Sequence, residues 1–232
     1  MYKIINGSPI HLSHMALTVN EILTAINTTN SKFKNISDMS RSLSVDIFKI
    51  MDLRVLSGVI GETFVAELSQ IVSGLKKNPS IDGYPDLLQV VNQEMENYYN
   101  IYASMDSKDD FLYGGIEVKN TLGYKKPKVD LFTGEQRINF IQPDLQWKAH
   151  HRKTNHLLGF FSDFINGYPT IVAAFYSDQL TPDDWTAKAN PKEGSAMTSF
   201  STITKDGYSK MLSGIILCLD DPTYLSYFGQ EA

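Results

Sequence analysis

Apolar residues recur at helical spacing in the first third of the chain and give way to shorter, more continuous runs afterwards. From Met15, positions Leu17, Ile22, Leu23 and Ile26 fit one side of a helix, which the polar tract Asn27-Thr28-Thr29-Asn30 is expected to end. A second helical stretch starts at the cap pair Ser37-Asp38 and carries Leu43, Val45, Ile47, Phe48 and Met51. It runs on, or breaks and resumes, through Leu56-Ser57-Gly58 to Phe64, Leu68, Ile71 and Leu75. This helical N-terminal part, about residues 1–78, is expected to pack on a sheet and to support dimer contacts.

The rest of the chain alternates between the two periods. Lys76 to Ser80 is a polar, proline-containing connection. Leu87, Val90, Val91, Met95, Tyr98, Ile101 and Tyr102 repeat mostly at three and four, as in an amphipathic helix. Phe111 to Thr121 reads as a strand. Pro143-Asp144 is expected to open another helix, with Trp147, His151, Leu158, Phe161 and Phe164 on its inner side. The nearly continuous apolar run Pro169 to Ser177 reads as a strand buried on both faces, next to the Phe111–Thr121 strand. Ser195 to Thr204 reads as strand or extended loop, and Gly214 to Leu219 as a strand ended by Asp220-Asp221-Pro222. No repeat or interdomain linker interrupts residues 1–232, so one domain is expected.

Composition narrows the class. At 232 residues, 42% hydrophobic and 20% charged, the chain has the make-up of an ordinary globular protein able to bury a sizeable core. Its single cysteine, Cys218, excludes an intrachain disulfide and fits a reducing compartment; inside an apolar run it is expected to be a buried structural thiol. No basic-then-apolar leader and no run of membrane-spanning length are present, which sets the expectation of a cytoplasmic protein without membrane contact. His150, His151 and His156 lie close together, but no cysteine or His-Glu-x-x-His pattern accompanies them, so zinc is not inferred.

The distinctive chemistry lies between Ile81 and Asn120. Pro85-Asp86 is followed, thirty-one residues after the aspartate, by Glu117-Val118-Lys119 inside an apolar strand. Alternation puts Glu117 and Lys119 on one face, with Ile116 and Val118 on the other. Asp86 and Glu117 are hard oxygen donors of the kind magnesium takes, and the backbone carbonyl of Val118 offers a third oxygen. Lys119 would then counter charge on a phosphate, which points to a metal-dependent phosphodiester site. Two plainer accounts stand beside it: Pro-Asp as a turn, and Glu117 with Lys119 as a salt bridge.

Asp86 with Glu117-Val118-Lys119 resembles the PD-(D/E)xK nuclease motif, in the form found in type II restriction endonucleases. The likeness is specific over about forty residues and loose elsewhere. It implies an α/β fold with a central mixed β-sheet of four or more strands flanked by helices. It also implies magnesium as cofactor, double-stranded DNA as substrate and a homodimer as the acting form. Carried over by position, Asp86 and Glu117 would be metal ligands, Lys119 the catalytic lysine, and Glu62 the acidic residue that such nucleases often add from an early helix. The interval between Asp86 and Glu117 is longer than in many members and is expected to hold an inserted helix.

A net charge of −5 sits awkwardly with a DNA partner, so the distribution of cations matters. Lys119, Asn120, Lys125, Lys126 and Lys128 cluster at and after the motif, and Lys148, Arg152 and Asn155 form a second group able to meet phosphates or base edges. Thr198, Ser199 and Ser201 are small hydroxyl residues suited to reading bases. A repair or junction-resolving nuclease with the same chemistry, or a non-catalytic DNA-binding protein, are the alternatives.

Overall fold

The computed structural model describes residues 1–80, 83–105, 110–149, 152, 156–189 and 199–231. In chain order the elements are β1 (Tyr2–Ile4), β2 (Ile10–His11), β3 (Ala16–Leu17), α1 (Val19–Ser42), α2 (Ile47–Ile50), α3 (Leu53–Ile71), β4 (Leu75–Lys77), β5 (Leu87–Gln89), α4 (Gln93–Ala103) and β6 (Gly115–Thr121). They continue with β7 (Lys148–Ala149), β8 (Leu157–Ile165), β9 (Tyr168–Ser177), β10 (Ser201–Thr202), α5 (Lys205–Ser213), β11 (Ile215–Leu219) and α6 (Pro222–Tyr227).

Seven strands form one sheet in the order β1-β11-β9-β8-β6-β5-β4. Every neighbouring pair in it is antiparallel except β6 with β8, so the sheet is mixed. Helices α1 and α3 cover one face, where Phe64 meets Phe160 and Val118, Leu158 and Leu217 join their core. The other face is covered by α5, α6 and the segment around Ile138–Ala149, which bury Trp147, Phe161, Phe175 and Met211. The fold is thus α/β, a central mixed sheet flanked by helices. No helix among the described residues is long and apolar enough to cross a membrane.

Several elements depart from the sequence-based expectations. The tract Asn27 to Asn30 does not end α1, which runs on to Ser42. Thr29 is buried inside it, and Asn30 donates to the Tyr2 hydroxyl at 2.7 Å while its Oδ1 accepts from the Ile171 amide at 2.8 Å. Partners across the fold therefore satisfy side chains that would otherwise favour a helix stop. Among the described residues, the expected helix after Pro143 is instead loop, β7 and the start of β8, and His151 lies outside them. In β8 Leu157, Leu158, Phe160 and Phe161 are all buried, because both faces are covered and the alternation that marks a strand is lost. β9 is buried as expected, but β8 lies between it and β6. Residues 87–102 split into β5 and α4, and the latter is the inserted helix, closing over Leu88, Val90 and Phe111.

Candidate active site

Two glycines bring the Asp86 and Glu117 segments together. Gly114 turns the chain with φ +65, a backbone state that glycine adopts without strain, and its amide donates to the Phe111 carbonyl at 2.9 Å. At Gly115 a Cβ would stand 1.8 Å from the Leu87 carbonyl oxygen and 2.9 Å from the Pro85 ring. Only a bare Cα lets β5 lie this close to β6. On the far side of β5, buried Asn78 fixes the entry of the strand. Its amide donates to the Asp86 carbonyl and its Nδ2 to the Pro85 carbonyl, both at 2.9 Å.

With both backbones fixed, the three side chains meet. Lys119 Nζ lies 2.5 Å from Glu117 Oε1 and 3.2 Å from Asp86 Oδ2. Asp86 Oδ2 also accepts from the Val118 amide at 2.8 Å, and Glu117 Oε2 accepts from the Asp86 amide at 3.2 Å. Within β6, β5 pairs with Gly115 and Ile116, so beyond them, among the described residues, this edge of β6 carries no neighbouring strand. The Val118 amide points to that edge, and in an extended chain the carbonyl of the same residue faces the same way.

The electrostatics follow from depth. Glu117 is only 3% exposed, and burial pushes its carboxyl up to about 7; Lys119 pulls the other way, and Asp86 adds to the rise. For Lys119, burial opposes the charge, but Asp86 and then Glu117 outweigh it and hold the ammonium above its ordinary pKa. The result is one cation clasped by two acids, one of which is poised to titrate near neutrality.

A cleft of about 630 Å³ opens along the free edge of β6. Asp86, Lys119 and Asn120 line one side and α3 the other, through Arg54, Ser57, Gly58, Gly61 and Glu62. Glu62 therefore shares the cleft, but it is exposed and its carboxylate is paired with Lys77 at 2.6 Å. Asn120 braces the walls: its Nδ2 lies 3.3 Å from Ser57 Oγ, its Oδ1 accepts from Ser162 Oγ at 2.7 Å, and its carbonyl accepts from Ser57 Oγ at 2.8 Å.

The residues expected to meet DNA are scattered. Lys125 and Lys148 line the cleft, Lys125 donating to the Val129 carbonyl and Lys148 lying over the rings of Phe200 and Tyr124. Lys126 and Lys128 are exposed in the following loop, and Lys126 donates to the Asn139 carbonyl at 3.1 Å. Arg152 is exposed, but no helix presents it; its guanidinium donates to the Pro182 and Trp185 carbonyls. Ser199 is half-buried. Ser201 is 1% exposed in β10 with its hydroxyl enclosed, so it is not offered to a base edge. Asn155 and Thr198 lie outside the described residues.

Three contributors carried no local signal in the sequence: Asn78, Ser57 and Arg137, all defined by partners distant in the chain. Among the described residues no group of three or more His, Cys, Asp or Glu side chains is gathered as a metal cage. The donor set is smaller: Asp86 and Val118 line the cleft, the Glu117 carboxylate is buried behind them, and magnesium accepts one or two carboxylates while keeping its waters. Such a set could hold a hard divalent ion beside a lysine able to face an anion. No family model, curated protein or solved structure matches the chain.

Proposed function

We propose that this protein is a magnesium-dependent endonuclease of double-stranded DNA, a type II restriction enzyme of the PD-(D/E)xK kind acting as a homodimer. The observation that carries the reading is the meeting of Asp86 and Lys119, which line a cleft, with Glu117 buried behind them, from segments thirty-one residues apart. A buried acid and a half-buried lysine are a costly way to stabilise a sheet, because their desolvation offsets much of their attraction. Their placement on and directly behind a solvent-reached wall is easier to account for if they act on something that enters.

In this reading Asp86, Glu117 and the Val118 carbonyl hold the ion, and Lys119 counters charge gathering on the attacked phosphate. When bound, magnesium supplies a Lewis acid and a water of lowered pKa. Glu62 is reserved by Lys77 and takes part only if that pair opens. Lys125, Arg137 and Lys148 along the cleft lessen the difficulty posed by the net charge of −5, since phosphates respond to the local field. The dimer follows from the two-fold targets of such enzymes, which a two-fold protein reads. Incubation of plasmid DNA with the protein and magnesium tests the reading. Discrete fragments are expected; a smear or branch-limited cutting would favour a repair or junction-resolving nuclease. No cutting of plasmid or genomic DNA would favour a non-catalytic protein in which Glu117 and Lys119 form a salt bridge.

The α3 wall supplies a separate check. Gly58 and Gly61 sit inside a helix, line the cleft, and have open space where a Cβ would go. Glycine inside a helix costs roughly 0.5–1 kcal/mol relative to alanine. Gly58→Ala and Gly61→Ala should therefore each raise the melting temperature. The added methyl groups narrow the space a DNA backbone would use, so KM for cleavage should rise in the same variants. Higher stability with unchanged KM would remove this wall from the substrate path.

A further inference from the structure

In a chain of net charge −5, many lysines away from the far end of the cleft have a carboxylate partner: Lys32 with Glu67, Lys76 with Glu96, Lys77 with Glu62 and Lys210 with Asp184. Beyond Lys119 the pattern changes. Arg137, Lys125 and Lys148 line the cleft there, and among the described residues none of the three has a carboxylate within salt-bridge distance. Arg137 is the most unusual of them, being 4% exposed.

The Arg137 guanidinium donates from Nε to the Leu122 carbonyl at 2.7 Å and from Nη2 to the Gly123 carbonyl at 3.1 Å, both neutral acceptors. The nearby acid, Asp163, is taken up differently. It accepts from the backbone amides of Arg137, Ile138 and Phe164 and from the Tyr224 hydroxyl. Arginine stays protonated in such surroundings. Asp163 attracts the guanidinium without bonding to it, and a buried charge whose hydrogen bonds go to carbonyls remains costly unless an anion completes it. The two carbonyls fix the guanidinium fork, a shape that suits phosphate oxygens better than a chloride or a lone carboxylate oxygen. Lys148 is likewise steered by rings, 4.3 Å from the centre of Phe200 and 5.5 Å from that of Tyr124.

We infer that Arg137, with Lys125 and Lys148, forms a second phosphate-binding subsite that takes a backbone phosphate of the nucleic acid other than the one attacked beside Lys119. The carbonyls that Arg137 holds belong to residues three and four positions beyond Lys119, about 10 Å or more along an extended chain, too far for one phosphate to serve both. This rests on the nuclease reading for the identity of its ligand, a DNA phosphodiester.

The test is fluorescence anisotropy of a short labelled duplex with the full chain in calcium, titrated with salt. Lys125→Gln and Lys148→Gln should each lower the salt slope by about one and weaken binding at low salt. Arg137→Lys keeps the charge but loses the fork; it should keep the slope and bind about tenfold more weakly. If Arg137→Lys fails to fold, as judged by circular dichroism, the two lysine variants carry the test. Unchanged slopes and affinities in folded variants, with a parent that cuts plasmid DNA in magnesium, overturn the subsite and leave the nuclease reading standing. A parent that binds the duplex through these residues but never cuts keeps the subsite and removes the nuclease. A parent that neither binds nor cuts removes both.

Discussion

Replacing Lys119 with alanine should lower the rate of DNA cleavage by about 10²–10³-fold while leaving duplex affinity in calcium within a few-fold of the parent. The magnitude is that of removing one preorganised group aimed at transition-state charge. Lys119 is suited to that task because Asp86 and Glu117 hold its ammonium at 3.2 and 2.5 Å and keep it charged. The split between rate and affinity is the informative part, since a lysine that only binds DNA would weaken affinity and leave the rate at saturation intact. Arginine should not restore the rate, because its planar fork differs in size and geometry from an ammonium seated between two acids. Cleavage by Lys119→Ala at the parent rate would take the lysine out of the chemistry.

The second large effect concerns pH. Burial raises the Glu117 carboxyl from 4.5 to about 7 against the pull of Lys119, so the fold holds this proton to higher pH than the open chain does. For a raised carboxyl, the stabilising contribution is complete below the unfolded value and is lost as pH rises through about 7. The ionised form therefore costs the fold stability at alkaline pH. A divalent ion needs the carboxylate, so its affinity should climb nearly tenfold per pH unit up to about 7 and then level off. Calorimetric titration with calcium across this range measures the curve. Glu117→Gln should bind the ion weakly at every pH, lose cleavage, and melt above the ion-free parent at about pH 8. An ion affinity that is flat across neutrality would show that Glu117 is not a ligand.

The strand that carries the motif could be read from the sequence because its two faces differ. Alternation from Gly115 to Thr121 places Ile116 and Val118 in the core and Glu117 with Lys119 opposite, as found. The position of Asp86 could not be read in the same way. It depends on the antiparallel seating of β5 against β6 and on the missing side chain of Gly115, relations between distant segments, and on the hold of Asn78 on Pro85 and Asp86, which no periodic pattern marks. β8 carries the signal of a helix because cover on both faces erases the period of two, leaving Leu158, Phe161 and Phe164 at a spacing a helix could share. Asn30 suggests a stop for α1 that does not occur, because its partners, Tyr2 and Ile171, lie in strands far from it and from each other along the chain. Arg137 gave no sign at all: nothing in Glu135-Gln136-Arg137-Ile138 marks a buried cation, and only its hold on Leu122 and Gly123 reveals one.

A crystal structure of the protein soaked with calcium at about pH 8 examines the centre of the account. The expected result is an ion bound about 2.4 Å from oxygens of Asp86, Glu117 and the Val118 carbonyl, with the Lys119 ammonium drawn off Glu117 towards the cleft. An ion bound elsewhere, or none, with Lys119 still bridging the two acids, would contradict it.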